Sequence, residues 1–402
     1  MKVLACNVGS TSLKFKLFDM PEELVLSEGR IERVGSADDA IFQYKNQARE
    51  ISFKKEKQSV PDYVTGIKLF LDSLTGPKEG ALTSVSEIQA VSFKTVLARG
   101  YYDVHLLTDE VIAGMTEYMD IAASHNGPYI SAIEQFRKLL PGVKMVGVFE
   151  TAFHQTIPLE RVLYGIPYEW YEKYGIRKMG YHGASHGFIA GRIKELRGPC
   201  YKLVSCHLGG SNSICAIKDG KSENTSFGIS LHTGVLHAVR AGDTDTMLVP
   251  FLLGRGLSLD EIEKGITKKG GLLGISGVSD DMRYVEEAAE KGNVRAQLAI
   301  DVYCSHILHY IGAFYAGLGG LDYLCFTGGI GEKSPIVRGK VCASLKHMGV
   351  ILDEEKNNAK ENVERTISAK ESPVTVMVIP ANEELEIVKR AYSFLEGHAE
   401  FA

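Results

Sequence analysis

The chain has 402 residues, a length that predicts about two domains, each with its own core. A hydrophobic fraction of 45% and a charged fraction of 24% are typical of a globular protein and exclude a disordered chain. The net charge of -5 excludes the broad basic surface that holds nucleic acid or an anionic membrane, and seven cysteines without a CxxC pair predict a reducing, cytoplasmic compartment.

The first predicted element is a β-hairpin at residues 3–18. An apolar run reaches Asn7, too short for a signal-peptide core, and a Gly/Ser/Thr turn follows. Leu13, Phe15 and Leu17 then alternate with lysines, as expected for a strand. The turn offers backbone N–H groups and hydroxyls to an anion.

Further strands are expected between residues 24 and 53, and a helix at 62–74, where apolar residues recur at helical spacing. A second helix is expected to begin at about Pro128, since proline suits the first turn, and to end near 140. A buried strand is predicted at 145–149.

The N-terminal pattern recurs about 200 residues later, at residues 203–213. Cys6 corresponds to Cys206 and Gly9 to Gly209, and both segments read as strand, Gly/Ser turn and strand. One such match has an even chance of being coincidence, because this local pattern is common. Together with the chain length, it predicts two copies of one phosphate-binding unit.

A third glycine cluster, at residues 328–334, follows a predicted strand and precedes a predicted helix. This order places backbone N–H groups against an anion or a flat ligand, although the spacing matches neither a P-loop nor a dinucleotide motif. The apolar stretch at 300–321 contains Asp301, His306 and His309. It therefore predicts a buried helix, not a membrane span.

Two short segments carry candidate chemical groups. His182 and His186 are four residues apart, a spacing that can hold a metal, but no third ligand is evident, and a hydrogen bond from a histidine to a phosphoryl group is the other interpretation. Arg240 precedes Asp243 and Asp245, which predicts either a surface ion pair or a group that stabilises phosphoryl transfer.

Seven segments, in the family's order, resemble the acetate/propionate kinase family and span nearly the whole chain. They are NVGSTSLK (7–14), VFETAFHQT (148–156), YGIR with HGASH (174–186), RAGDTD (240–245), GLLGISG (271–277), GGIGE (328–332) and NEEL (382–385). Each alone is weak, but together they are specific.

The resemblance implies an α/β fold of the duplicated actin-like (ribonuclease H-like) ASKHA class, with two domains around a nucleotide cleft. The expected domains are 1–150, completed by a C-terminal helix at 383–402, and 151–382. The implied activity is reversible, Mg²⁺-dependent phosphoryl transfer between ATP and a short-chain carboxylate. The expected partners are ATP or ADP, the acid and a second copy of the chain in a homodimer, without nucleic acid or membrane.

The resemblance also implies the roles of individual residues. The expected catalytic residues are Glu150, His182, Arg240 and His125. The expected acid-binding residues are Lys94, Val96, Ser124, Tyr181 and Leu231. The expected nucleotide or phosphate contacts are Ser10, Ser12, Lys14, His207, Gly209, Gly210, Ser211, Asp281, Met282, Arg283, Gly329, Ile330, Gly331, Glu332 and Lys333. The expected magnesium ligands are Asn7 and Glu383.

The chain departs from the family pattern mainly around the acid site. Lys94 replaces an arginine and loses its planar fork, and Arg99 is a candidate to restore it from another position. Glu150 replaces a shorter aspartate. Ser124 replaces an apolar residue, and the turn at 209–213 and the segment at 231–234 also differ from the family's usual residues.

These departures leave two alternatives to an acetate kinase open. One is an enzyme for a larger or more polar acid, since Lys94, Ser124 and Thr233 offer extra polar contacts. The other is a nucleotide-binding descendant that has lost phosphoryl transfer. A pyrophosphate-using variant is disfavoured because the adenosine-side turn at 328–332 is retained.

Overall fold

The computed structural model describes residues 1–9 and 11–397, without the side chains of 123 and 124. The expected phosphate contact at Ser10 lies outside the described residues. The chain forms two compact units: unit 1 is Met1–Ala152 with Asn382–Ala402, and unit 2 is Phe153–Ala381. The boundaries expected from the sequence, 150 and 382, compare with 152 and 381 here.

Strands and helices are numbered in chain order. The strands are β1 Lys2–Gly9, β2 Ser12–Asp19, β3 Leu24–Glu32, β4 Ser36–Asn46, β5 Ile51–Val60, β6 Ala90–Thr95, β7 Val104–Leu106, β8 Lys144–Phe149, β9 Lys202–Leu208, β10 Asn212–Lys218, β11 Lys221–Thr225, β12 Tyr323–Thr327, β13 Arg365–Thr366 and β14 Thr375–Val378. The helices are α1 Tyr63–Leu74, α2 Asp109–Glu117, α3 Met119–Leu139, α4 Leu159–Val162, α5 Tyr168–Tyr174, α6 Gly183–Arg197, α7 Leu248–Leu253, α8 Leu259–Thr267, α9 Gly271–Ser276, α10 Met282–Glu290, α11 Val294–Leu318, α12 Gly328–Lys333, α13 Pro335–Ala343, α14 Glu354–Asn358 and α15 Glu383–Glu396.

Unit 1 is built on one mixed sheet with the order β5-β4-β3-β2-β1-β6-β8-β7. Its strands β1, β6 and β8 run parallel to one another. Because side chains alternate along a strand, one face carries Phe15 and Phe93, which pack against Phe136 of α3. The other face carries Val3 and neighbours that pack against α15.

The helix predicted to begin at Pro128 begins nine residues earlier. α3 starts at Met119, changes direction at the non-helical residue Ala122 and contains Pro128 in its interior. The sequence-based prediction was wrong because Asn126 is polar yet fully buried, donating to the carbonyls of Leu97 and Met115 at 2.8 Å each. That contact leaves no apolar periodicity to mark the helix.

Unit 2 repeats the topology of unit 1. Its sheet has the order β11-β10-β9-β12-β14-β13, in which β9, β12 and β14 run parallel. Cys206 pairs with Phe326 across β9 and β12, just as Cys6 pairs with Phe93 across β1 and β6. The duplication predicted from the two Gly/Ser hairpins is therefore confirmed.

The long apolar helix predicted near 300–321 is α11, and its buried face forms much of the core of unit 2. Asn293 caps its first turn by accepting from the N–H of Ala296 at 3.0 Å, and Gly319 ends it in the left-handed region. Among the described residues, no helix combines the length and apolar character needed to span a membrane.

Candidate active site

In unit 1, three parallel strands bring candidate side chains to one edge of the sheet. Asn7 lies near the end of β1, Lys94 near the end of β6, and Glu150 directly after β8. The register pairs Cys6 with Phe93 and Thr95 with Phe149, so these three positions are neighbours. Ligands of open α/β sheets bind at this carboxyl edge.

The ammonium group of Lys94 lies between two carboxylates. Its Nζ is 2.7 Å from Oε2 of Glu383, the first residue of α15, and 3.4 Å from Oε1 of Glu150. Only 17%, 18% and 5% of these three side chains is exposed, for Lys94, Glu383 and Glu150 in turn. Burial alone lowers the pKa of Lys94, but Glu150 and Glu383 reverse this and raise it above its usual range.

Tyr129 of α3 orients Asn7. Its hydroxyl donates to Oδ1 of Asn7 and accepts from the N–H of Val8, at 3.1 Å each. Tyr129 is buried, and burial raises the pKa of its hydroxyl. No sequence motif marks Tyr129, although it lies on the apolar face of α3 and its hydroxyl is buried there.

The other acid-site candidates in unit 1 are less closely grouped. Val96 is buried, and His125 is exposed on α3. Ser124 lies in α3, but its side chain is not among those described. Arg99 forms a surface ion pair with Glu117 of α2 at 2.8 Å. The prediction that Arg99 restores the missing guanidinium therefore gains no support.

Lys14 is exposed on β2, directly opposite Asn7. Because β2 lies between β1 and β3, Lys14 is not on an edge strand. Lys14 lines a surface cavity of about 720 Å³ that also contains Arg30, Lys45 and Lys54. Ser12, the other described residue of the predicted phosphate-binding hairpin, begins β2.

Unit 2 contains a cavity of about 440 Å³, within the usual range for small ligands. Two glycine turns and the first turn of α10 form it. The predicted nucleotide contacts that line it are Gly209, Gly210, Asp281, Met282, Arg283, Gly329, Ile330 and Lys333. Its remaining lining residues lie outside the predicted set and are Ala238, Asp280, Glu286 and Ser334.

Glycine is required where β12 enters α12. Gly328 has a φ of +76°, and a Cβ there would lie 2.6 Å from the carbonyl oxygen of Leu208. Gly329 has open space at its Cβ position. The N–H of Gly328 donates to Oε1 of Glu332 at 3.0 Å, so Glu332 stabilises the turn, while Gly329 faces the cavity.

Two buried polar residues outside the predicted set stabilise the cavity walls. Asn212 accepts from the N–H of Gly209 and from the hydroxyl of Tyr303, at 2.8 Å each. Arg338 donates to the carbonyls of Gly331 and Glu332 at 2.8 and 2.9 Å, at the end of α12. Burial lowers the pKa of Arg338 to about 10, and the cation faces the negative end of the helix.

His182 occupies a strained position at the start of α6. It has a φ of +58°, which is unusual for a residue other than glycine, and such strain is concentrated at functional sites. Its ring stacks on His207 with centroids 4.1 Å apart. The structure thus brings the two predicted histidines, His182 and His207, together. His207 Nδ1 is also 2.8 Å from Oγ of Ser185. His207 does not line the cavity of unit 2.

Arg240 makes no ion pair with any described carboxylate. Its guanidinium donates to the carbonyl of Leu231, whereas Asp243 accepts from the N–H of Gly234 at 2.8 Å and from the hydroxyl of Tyr310. The alternative prediction of an Arg–Asp surface pair was therefore wrong. Burial lowers the pKa of Arg240 to about 10, which leaves it a cation at neutral pH.

Phe227 connects the remaining candidates of unit 2. Its ring contacts Tyr181 at 5.3 Å, His182 at 5.4 Å and His237 at 5.4 Å between centroids. The hydroxyl of Tyr181 donates to the carbonyl of Ile229 at 2.5 Å, so it stabilises the loop that contains Ile229. Sequence inspection missed Phe227, because no motif marks a single buried ring.

Comparison with known proteins shows the family to which this chain belongs. Residues 2–389 match the model of the acetokinase family. The chain belongs to the acetokinase family. It is 42% identical over 393 residues to a protein named acetate kinase from Shouchella clausii, covering 96% of this chain and 98% of the relative.

Solved structures of acetokinase relatives have the same fold. An acetate kinase from Porphyromonas gingivalis superimposes with a TM-score of 0.87 at 36% identity, covering 98% of this chain and 99% of that one. A propionate kinase from Francisella tularensis gives a TM-score of 0.87 at 31% identity, covering 97% and 98%. This acetokinase chain therefore has the duplicated actin-like ASKHA fold expected from its sequence.

The donors of unit 1 fit a magnesium ion that is held mainly by a nucleotide. Asn7 and Glu383 supply one amide oxygen and one carboxylate, and Mg²⁺ is usually bound by one or two such groups together with phosphates and water. Within residues 1–9 and 11–397, no group of three or more His, Cys, Asp or Glu side chains is arranged to hold a metal.

Proposed function

We propose that this protein is an ATP-dependent short-chain carboxylate kinase that reversibly transfers the γ-phosphoryl group of ATP to an acid such as acetate or propionate. The observation that carries the proposal is the match, over nearly the whole chain, to relatives named acetate kinase. This reaction requires a nucleotide site and an acid site. The cavity of unit 2 is the candidate for the first, and the Lys94 cluster of unit 1, formed by Lys94, Glu150 and Glu383, is the candidate for the second.

The cavity of unit 2 binds the nucleotide in this proposal. Gly209, Gly210 and Gly329 present backbone without side chains, which allows close approach of a ligand. Asp281 fixes the start of α10 by accepting from the N–H of Arg283 at 3.0 Å. The 440 Å³ cavity is large enough for part of a nucleotide.

Asn7 and Glu383 would hold Mg²⁺, and Lys14 would contact a phosphate. When bound, the metal neutralises charge on the phosphates and orients them. Tyr129 fixes the side chain of Asn7 through its 3.1 Å hydrogen bond. Lys94 near the end of β6 and Val96 directly after it would line the acid site, with His125 on α3.

Catalysis requires positioning and charge stabilisation more than a strong base, because a carboxylate is already ionised at neutral pH. Arg240 and His182 would stabilise the negative charge on the transferring phosphoryl group. The partial burial of Arg240 strengthens its interaction with an anion. Glu150 holds the ammonium group of Lys94 in place.

The test measures ATP-dependent acyl phosphate formation, trapped as the hydroxamate, from acetate, propionate, butyrate and hydroxy acids, with and without Mg²⁺. We expect turnover with at least one acid and a strict requirement for the divalent ion. ATP binding without acyl phosphate from any acid would contradict the proposal and favour a descendant that has lost phosphoryl transfer.

Preference for an acid other than acetate is a second candidate, supported by the Lys94 cluster. A single ammonium group replaces the family's planar guanidinium and is already shared between Glu150 and Glu383. The hydroxyl of Thr233 accepts from the N–H of Gly228 at 2.7 Å and lies 3.5 Å from the carbonyl of Ser230. A clear preference for acetate in the same panel would remove this candidate.

A homodimer in the cytoplasm is the proposed form of the enzyme. The segment that spans α7 and the start of α8 exposes large apolar side chains, and such a group of residues is typical of a subunit interface. The exposed residues are Met247, Phe251, Leu253, Leu257 and Leu259.

A further inference from the structure

Alternating serine and histidine side chains form a buried hydrogen-bonded chain that ends at His182. Ser205 Oγ is 2.9 Å from Nδ1 of His186, and Nε2 of His186 is 2.8 Å from Oγ of Ser213. The same Oγ of Ser213 is 2.8 Å from Nδ1 of His182. Ser205, His186 and Ser213 are all fully buried.

His186 is the neutral link of this chain. Burial, reinforced by His154 and His207, lowers the pKa of His186 well below its usual value. A neutral imidazole carries one N–H donor and one acceptor nitrogen, and each serine hydroxyl donates once. Only a few arrangements of protons are therefore possible along the chain.

In the first arrangement every donor between Ser205 and Nδ1 of His182 has an acceptor. Ser205 donates to Nδ1 of His186, Nε2–H of His186 donates to Ser213, and Ser213 donates to Nδ1 of His182. Nδ1 of His182 is then an acceptor, so the proton of its neutral ring lies on Nε2. This is the nitrogen that does not face Ser213.

The reversed arrangement leaves a buried donor without an acceptor. His182 would then donate from Nδ1 to Ser213, Ser213 to Nε2 of His186, and Nδ1–H of His186 to Ser205. Among the described residues, the hydroxyl of Ser205 has no second partner, so its own proton would be unsatisfied. An unsatisfied buried donor is costly, which favours the first arrangement.

The mixed arrangement fails for the same reason at Ser213. If both histidines donate to Ser213, its hydroxyl proton has no acceptor, because these two imidazoles are its side-chain partners within the described part of the chain. The chain therefore disfavours the other neutral tautomer of His182, with its proton on Nδ1.

We propose that Ser213 is a positioning residue that fixes His182 as the neutral tautomer with its proton on Nε2, so that His182 donates a hydrogen bond to the transferring phosphoryl group. The proposal rests on the proposed role of His182. It adds that the hydroxyl of Ser213 and the buried ring of His186 set the donor nitrogen before any substrate binds. Preorganised donors of this kind lower the barrier without rearrangement during the reaction.

The test compares the full-length enzyme with Ser213→Ala and Ser205→Ala. Proton-detected ¹⁵N spectra, in which the His182 signal is identified by its loss in His182→Ala, should show the proton on Nε2 in wild type. Ser213→Ala should lose this preference and reduce kcat by about tenfold or more, with the KM for ATP within about twofold. Ser205→Ala should keep both the tautomer of His182 and kcat, because the unprotonated Nδ1 of His186 can remain without a hydrogen-bond donor.

Ser222→Ala is the matched control. Ser222 is also fully buried and lies 2.9 Å from a histidine Nδ1, that of His154, but it does not touch His182. Its kcat should equal that of wild type. Should Ser213→Ala not fold, Ser213→Cys, a weaker donor of similar size, should give the same change in the spectrum and a smaller loss of kcat.

Two results would overturn the proposal and are distinguishable. A proton on Nδ1 of His182 in wild type, or unchanged tautomer and kcat in Ser213→Ala, would refute the positioning role of Ser213. Normal turnover of His182→Ala would instead refute the proposed role of His182, whatever tautomer the spectra show.

Discussion

Lys94 is expected to contribute to stability as well as to the proposed acid site, because it lies between the carboxylates of Glu150 and Glu383. Lys94→Met removes the shared cation from a largely buried site, and we expect a loss of about 3 kcal/mol in the free energy of unfolding. The double variant Lys94→Met/Glu150→Gln should lose less free energy of unfolding, because the cation and one of its two carboxylate partners are removed together. Urea denaturation of these two variants and of Glu150→Gln measures the coupling.

Lys389→Met is the control for this prediction. Lys389 forms an ion pair with Glu23 at 2.9 Å in the same unit, but the two side chains are 29% and 40% exposed. Solvent screens such a pair, so the expected loss is at most about 1 kcal/mol. Equal losses at Lys94 and Lys389 would show that the buried cluster contributes nothing special.

Arg240 is expected to act on the transferring phosphoryl group and not on the fold. Arg240→Ala removes one hydrogen bond, to the carbonyl of Leu231, and a half-buried cation without a described carboxylate partner. We expect kcat to fall by about 10²–10³-fold, as for other donors that stabilise transition-state charge. Steady-state kinetics and circular dichroism measure the two effects, and near-normal turnover would count against the assignment.

At the scale of single elements, the entry to α12 depends on glycine at one position and not at the next. Gly328→Ala is expected to lower both the melting temperature and ATP affinity, because of the positive φ and the 2.6 Å approach to Leu208. Gly329→Ala should keep the melting temperature, since its Cβ meets open space, and should weaken ATP binding alone. Differential scanning fluorimetry and calorimetric titration with ATP separate the two effects.

Helix α6 and the loop that follows β11 carry buried histidines that make stability depend on pH. Burial lowers the pKa of His186 and His237, so the unfolded chain binds more protons than the folded one below the usual value of about 6.5. The free energy of unfolding should therefore fall as the pH drops below about 6.5, by about 1.4 kcal/mol per pH unit for each histidine. His186→Gln should show a shallower dependence in denaturation measured from pH 7.5 to 5.

At the scale of the whole molecule, the exposed apolar side chains of α7 and the start of α8 predict self-association. Phe251 is 56% exposed and Leu259 is 61% exposed. Phe251→Asp would place a charge in the centre of this surface, and we expect dimers to become monomers with kcat in vitro nearly unchanged. Light scattering coupled to gel filtration measures the mass, and Tyr284→Asp, a change at a side chain 57% exposed elsewhere in unit 2, is the control.

Local sequence patterns determined the fold class and most of the residues that line the cavity of unit 2. The two Gly/Ser hairpins, the turn at Gly328 and the helix α1 each depend on neighbours within a few residues, so composition and spacing reveal them. The same reasoning failed at Pro128, where a buried amide replaced the apolar periodicity that marks a helix.

Only the tertiary structure decided which side chains meet. Lys94 and Glu383 are 289 residues apart in the chain, and Tyr129 and Asn7 are 122 apart. The hydrogen bonds that link Ser213 to both His182 and His186 depend on the packing of α6 against β9, next to β10. The sequence supplies the donors and acceptors, but burial removes competing water and sheet register sets their distances, and neither is encoded in any short segment.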